Sequence, residues 1–237
     1  MPQVGFDLLR RFETLDDALV LRRYMADWKF TDLLASSSLY FAPASHFADK
    51  LEGHYTHLDD ELSDRQLARW GFDSRARDMA ADARALVARD NQKAVVICCW
   101  TAGRDESPRM WSEYGAGSEA VALETTVGHL RRALGAGFLI VPVTYLDFSR
   151  DGIPKQHSLQ PVYFKQTCFV WEREVRVVGE MEVGKRIESP RLVPIDLALV
   201  FQKVIVSPFA SADYRLSVES RLSAESLSIP IHDSALR

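Results

Sequence analysis

The alternation of apolar and polar positions predicts helices mainly in the first part of the chain and strands mainly in the second. A strand is expected over 5–12, and a helix entry at Thr14-Leu15-Asp16-Asp17, where Thr14 caps and Asp17 stands three residues on. The helix runs on through Ala18, Leu19, Leu21, Tyr24 and Met25. Three serines at 36–38 make a turn before a strand at 39–41, which Pro43 ends. Two helices follow at 59–69 and 74–89, with Leu62, Leu67, Met79, Leu86 and Val87 on their apolar side. Rich in Ala, Arg and Asp, the 59–92 segment is expected to be a helical insertion or lid within a single domain spanning 1–237.

From Ala94 onward strands dominate. The unbroken apolar run 94–100 has the character of a strand buried on both faces. A loop with Gly103, Asp105, Glu106 and Pro108 leads to a short helix at 109–114, closed by Gly115. A strand at 120–124 and a helix at 127–134 come next, then strands at 139–145, 164–178, 192–195 and 203–207. A last helix over 212–222 leaves 229–231 as an edge strand. Early helices and late strands predict an α+β fold with a mixed or mostly antiparallel sheet.

Composition changes this picture little. A chain of 237 residues, 47% hydrophobic and 26% charged, has the make-up of an ordinary globular protein. Its net charge of −4 supplies no global basic field for gripping nucleic acid. Cys98, Cys99 and Cys168 form an odd set without C-x-x-C spacing, which points to a reducing compartment. With no signal-like opening and no run of ~18 apolar residues, the expected location is cytoplasmic, without a membrane segment.

The chemistry concentrates at Glu172 and Glu174. On a strand over 164–178 both side chains point to one face, joined there by Arg176, while Phe169, Trp171, Val175 and Val177 turn to the core and Arg173 breaks the pattern. Two carboxylates held so close repel, which drives one toward a higher pKa unless a cation or a ligand hydroxyl relieves it. The competing reading is a charged strand face laced with cross-strand pairs.

Other patterns carry less. Residues 115–120 fit a loose G-x-G-x-x-A fingerprint but follow a helix and precede a strand, the reverse of the dinucleotide-binding context. No G-x-x-x-x-G-K-[ST] phosphate loop occurs. His54 and His57 form only a bare H-x-x-H, and no metal site is expected from it. Cys98 and Cys99 lie in an apolar strand with no activating neighbour.

A series of segments resembles a known family. Leu39-Tyr40-Phe41-Ala42-Pro43 with Phe47-Ala48-Asp49-Lys50-Leu51-Glu52-Gly53, then Cys99-Trp100-Thr101, then Met110-Trp111-Ser112-Glu113-Tyr114, then Lys165 and Glu172-Arg173-Glu174-Val175-Arg176 follow one another. In this order they resemble a widespread bacterial domain family of unknown function whose signatures read F-N-D-P-F-E-G, S-F-S, M-W-x-x-Y and E-K-E-x-R. Ala48 and Lys50 replace the usual Asn and Pro, and Trp100-Thr101 replaces Phe-Ser.

That layout in turn resembles divergent ADP-ribosyltransferases of the Arg–Ser–Glu class, which carry an arginine on the first core strand, a Ser-Thr-Ser-like element on a second and an E-x-E on a later one. The resemblance implies an ADP-ribosyltransferase-like sheet and NAD as substrate. It gives Glu174 the oxocarbenium-like ribose to stabilise and Glu172 the acceptor nucleophile to orient or deprotonate. Arg11 would hold pyrophosphate or ribose oxygens, and Thr101 would support the glutamate or the ribose. Tyr40, Trp111 or Tyr114 would stack on nicotinamide, with Asp49 and Glu52 as further substrate contacts. It further implies transfer to an unknown macromolecular acceptor, protein or nucleic acid, or hydrolysis of NAD, in a bacterial toxin or phage-defence effector with a cognate antitoxin or immunity protein. Two other classes remain: a non-enzymatic sensing or interaction module on the same scaffold, and a nuclease-like toxin whose acidic residues bind magnesium.

Overall fold

The computed structural model describes residues 15–49, 51–117, 119–154, 159–179 and 186–236. Its first strand is β1 (Val20–Ala26), buried along nearly its whole length. Helix α1 (Asp27–Ser36) follows directly and ends at Ser37 in the left-handed conformation. Here the structure corrects the sequence reading: the segment around Leu21, Tyr24 and Met25 is a strand, and the helix begins where that one was expected to end. Sheet neighbours on both edges and side chains buried on both faces make 20–26 a central strand, whose apolar residues need not alternate with polar ones. The strand expected over 5–12 lies outside the described residues.

Strand β2 (Ser38–Pro43) leads into the helical insertion, α2 (His57–Arg69) and α3 (Ser74–Gln92). Local chemistry specifies both starts. Thr56 and Asp59 cap α2 reciprocally, the Thr56 hydroxyl accepting from Asp59 N and the Asp59 carboxylate from Thr56 N, and Asp73 caps α3 at Ala76 N. Arg77 to Asp64 (2.9 Å) and Arg84 to Asp60 (3.4 Å) tie the two helices together.

Then come β3 (Val96–Ala102), α4 (Pro108–Tyr114), β4 (Ala120–Thr126), α5 (Val127–Leu134), β5 (Phe138–Pro142), β6 (Thr144–Leu146) and β7 (Phe164–Gln166). After a 3₁₀ stretch over Thr167–Glu172 follow β8 (Glu174–Gly179), β9 (Arg191–Pro194), α6 (Leu197–Val200), β10 (Lys203–Val206), α7 (Ala212–Ala224) and β11 (Ile231–Asp233). The fold is α+β. The main sheet is mixed and mostly antiparallel, with β11 running parallel to β10, and β6 and β7 form a separate parallel pair.

Strand β3 is the fork of this sheet. It pairs β8 along one edge; along the other it pairs β2 near Ile97 and β1 near Thr101. One face packs Leu21, Trp100, Leu123, Val175 and Val177 against α1, α5, α6 and α7 in the largest core. The opposite face is covered at its two ends by different material. Met110 and Trp111 of α4 pack on Tyr24 and Ala122, while Val162 and Tyr163 pack with Ile97 and Val178. Between these apolar patches the same face carries Arg22, Thr101, Glu174 and Arg176.

Gly115 closes α4 where a side chain has no room. A Cβ built there would collide with the Trp111 carbonyl oxygen and come within 3.2 Å of the Ala120 Cβ. Backbone cannot yield as a flexible side chain does, so Gly115→Ala is expected to lower stability by about 1–3 kcal/mol in denaturant titrations. An unchanged midpoint would mean that α4 can shift freely against β4.

Candidate functional site

The strand expected over 164–178 is interrupted. Residues 167–172 wind as a 3₁₀ segment and Arg173 takes the left-handed conformation (φ 45°), so β8 begins only at Glu174. Glu172 is therefore not a strand residue. The turn at Arg173 still brings its carboxylate to that of Glu174, because both meet the ammonium of Lys165: Nζ lies 2.5 Å from Glu172 Oε2 and 3.2 Å from Glu174 Oε2. All three side chains are 10% exposed or less.

Arg176 forms the floor. Fully buried, it turns its Nε and Nη2 as a fork to the two oxygens of Glu174 (2.8 and 3.0 Å). Its Nη1 donates to Glu52 Oε1 and to the Val162 carbonyl, both at 2.5 Å. Tyr114, at the end of α4, closes the outer side by donating its hydroxyl to Glu172 Oε1 at 2.9 Å. Tyr145 accepts from the Glu174 backbone N–H at 2.8 Å.

Electrostatics follow from this packing. Burial alone would raise the Glu174 pKa, but the Arg176 guanidinium, with help from Lys165, brings it down to about 2. Burial works to discharge Lys165, and the Glu174 and Glu172 carboxylates overcome it, raising its pKa. For Glu52 burial wins over Arg176, and its pKa rises. Burial and the adjoining Glu172 carboxylate push the Tyr114 phenol up, which keeps the hydroxyl a donor at neutral pH. Burial likewise raises Tyr145 to about 12.

Of the other residues singled out in the sequence, Thr101 lies opposite Glu174 in the β3–β8 register, and its hydroxyl faces the Met110 sulfur at 3.7 Å. Glu52 joins the cluster through Arg176. Asp49 instead caps a turn, its carboxylate accepting from Leu51 N. Trp111 is 1% exposed, packed edge-on against Tyr24 with its indole N–H on Glu106. Tyr40 is 47% exposed on β2, beside β9, outside the hydrogen-bonded cluster. Arg11 lies outside the described residues. Among those described, no three His, Cys, Asp or Glu side chains are grouped so as to hold a metal ion, and no helix is long and apolar enough to cross a membrane.

The first described strand carries a different arginine. Arg22 on β1 is the register partner of Thr101, so Arg22, Thr101 and Glu174 form one row across three neighbouring strands. Arg22 is 5% exposed and binds Glu124 through Nε (2.9 Å) and Nη2 (2.8 Å); Lys203 reaches the other oxygen of Glu124 at 3.0 Å. Among the described residues its Nη1 has no hydrogen-bond partner. Beside it opens a cavity of about 440 Å³, also lined by Arg104, Asp105, Glu106, Lys203 and His232.

Sequence reasoning did not single out Arg22 or Tyr145, and it placed Lys165 only within a motif. The one signal for Arg22 was a charged residue in a run otherwise fit for burial. No family model matches the chain, and no curated protein matches it.

Proposed function

We propose that the protein consumes NAD at the Glu172–Glu174 cluster, as an ADP-ribosyltransferase or NAD glycohydrolase on an ADP-ribosyltransferase-like sheet. The observation that carries this reading is charge imbalance. Among the described residues, Glu52, Glu172 and Glu174 bring three carboxylates to a buried cluster, against which Lys165 and Arg176 supply two cations. An excess negative charge out of water is costly unless a proton or a cation answers it. The ribose in nicotinamide departure becomes oxocarbenium-like, a positive charge that exists only at the transition state.

In this reading Glu174, kept ionised and aimed by the Arg176 fork, faces the developing charge. Glu172, held between Tyr114 and Lys165, orients or deprotonates the acceptor. Lys165 withdraws as substrate enters, since among the described residues it is the one cation on a flexible stem that touches both carboxylates. Arg22 takes the phosphate or ribose contact that the resemblance gives to Arg11, because it shares the row with Thr101 and Glu174 and borders the cavity. The toxin or defence setting, the cognate antitoxin and the acceptor rest on the resemblance alone.

A non-enzymatic scaffold is favoured by a different fact: both Glu174 oxygens are already engaged by Arg176. Purified protein incubated with labelled NAD and cell extract separates the two. Wild type should release nicotinamide or transfer label, and Glu172→Gln and Glu174→Gln should each cut the rate by about 100-fold or more. Absence of both NAD turnover and NAD binding by wild type would leave the cluster as a structural ion network.

A further inference from the structure

The helical insertion turns one side of α3 to the rest of the protein and, among the described residues, leaves the other uncovered. Ala88 is buried, and Ala76, Arg77, Ala80 and Arg84 are half-buried, on the inner side. On the opposite side Met79 and Leu86 are 65% and 59% exposed, with Arg75 a turn before Met79 and Asp90 a turn after Leu86, both exposed. At 3.6 residues per turn these four fall on one stripe. Met79 and Leu86 stand seven residues apart on this exposed stripe, about 10 Å along the helix axis.

We infer that α3 pairs with α3 of a second copy of this chain, antiparallel about a two-fold axis passing between Asp82 and Ala83. The argument is charge complementarity under that symmetry. The stripe reads Arg75, Met79, Leu86, Asp90 with spacings of four, seven and four, the same in either direction. Antiparallel pairing sets Met79 against the partner's Leu86 and Arg75 against the partner's Asp90, each contact occurring twice, as an isologous interface requires. On the flank, Asp78 lies two residues, about 3 Å along the axis, from the level of the partner's Arg89. A parallel pairing would set Arg75 against its own copy and Asp90 against its own copy.

Two features bear against tight binding. Asp82 lies on the rim close to its own copy, a like-charge contact. Asp90 also has an exposed partner within its own chain, Arg186 at 3.1 Å, although such a pair is weak. The association is therefore concentration-dependent, and its sign is set by charge pattern more than by area.

Sedimentation equilibrium of the full chain over a wide concentration range tests the pairing. Wild type should pass from monomer to dimer. Arg75→Asp and Asp90→Arg should each weaken dimerisation about tenfold, since two attractive pairs become repulsive. The double variant Arg75→Asp/Asp90→Arg should return close to wild type, and Asp82→Ala should tighten the dimer. All the changes are at exposed positions, and circular dichroism confirms the fold of each variant. A wild type monomeric throughout, or a dimer indifferent to either single reversal or not rescued by the double, would overturn the inference whatever the outcome with NAD.

Discussion

Arg176→Met is expected to lower the unfolding free energy by about 3–5 kcal/mol, the range for removing one partner of a buried ion pair. The side chain is fully buried and serves three acceptors: Glu174 twice, Glu52 and the Val162 carbonyl. Methionine fills much of the volume and satisfies none of them. The variant leaves three carboxylates facing Lys165 alone. Arg176→Lys should lose less, because it keeps the charge and forfeits only the fork.

The informative companion is Glu52→Leu/Glu174→Leu/Arg176→Met. It removes two carboxylates and one cation together, leaving Lys165 paired with Glu172 and no excess charge. Apolar replacement of a complete buried ion group is often neutral or stabilising. This triple variant should therefore regain most of the stability that Arg176→Met loses, yet be inactive if the cluster acts on NAD. Equilibrium denaturation of wild type and the three variants at neutral pH checks the series. A loss under about 1 kcal/mol for Arg176→Met would mean that water reaches the cluster and screens it.

Much of the fold was legible wherever local chemistry specifies an element. The spacing of apolar residues marked α2 and α3 and Gly115 marked the end of α4, while the caps at Thr56 and Asp73 emerged only in the structure, and the helix entry read at Thr14 to Asp17 precedes a strand instead. Strand β1 was not legible. Its apolar residues serve both faces of a central strand, and such a run resembles a buried helix as much as a strand. The interruption before β8 rests on Arg173 at φ 45°, a conformation a residue with a side chain adopts only when its surroundings impose it. Phe169, Trp171, Val175 and Val177 alternate across that break, so their pattern imitates one strand while belonging to two elements.

The candidate site divides in the same way. Glu172, Glu174 and Arg176 were visible because they are near in sequence. Their meeting held for a different reason than alternation along a strand: Lys165, seven residues before Glu172, gathers both carboxylates after the chain has turned. Glu52 reaches Arg176 across 124 residues, and Arg22 enters the row through sheet register. Pairings of that range depend on tertiary placement, which no local pattern encodes.

Between pH 4.5 and 2 the protein should lose stability that Glu174→Gln does not lose. The Glu174 carboxyl, ordinarily near 4.5, is held at about 2 in the folded protein. A depressed acid binds protons more readily when unfolded, so its contribution is present above the unfolded value and disappears as pH falls through the folded one. A shift of this size corresponds to roughly 3 kcal/mol. Glu52 runs the other way. Its folded pKa is raised, so its contribution is greatest below its ordinary value of 4.5 and is lost as pH rises through the folded value. Relative to wild type, Glu52→Gln should therefore gain stability from acid toward neutral pH, while Glu174→Gln should lose it. Lys165, with its folded pKa raised above 10.5, adds stability that persists until strongly alkaline pH. Denaturant midpoints measured from pH 2 to 8 for wild type and both variants read these differences, because the carboxylates outside the cluster are common to all three. Parallel curves for Glu174→Gln and wild type would show that Arg176 does not hold the carboxylate as this geometry requires. Opposite slopes for the two variants would locate the cluster's excess charge at Glu52, whose burial favours the protonated form.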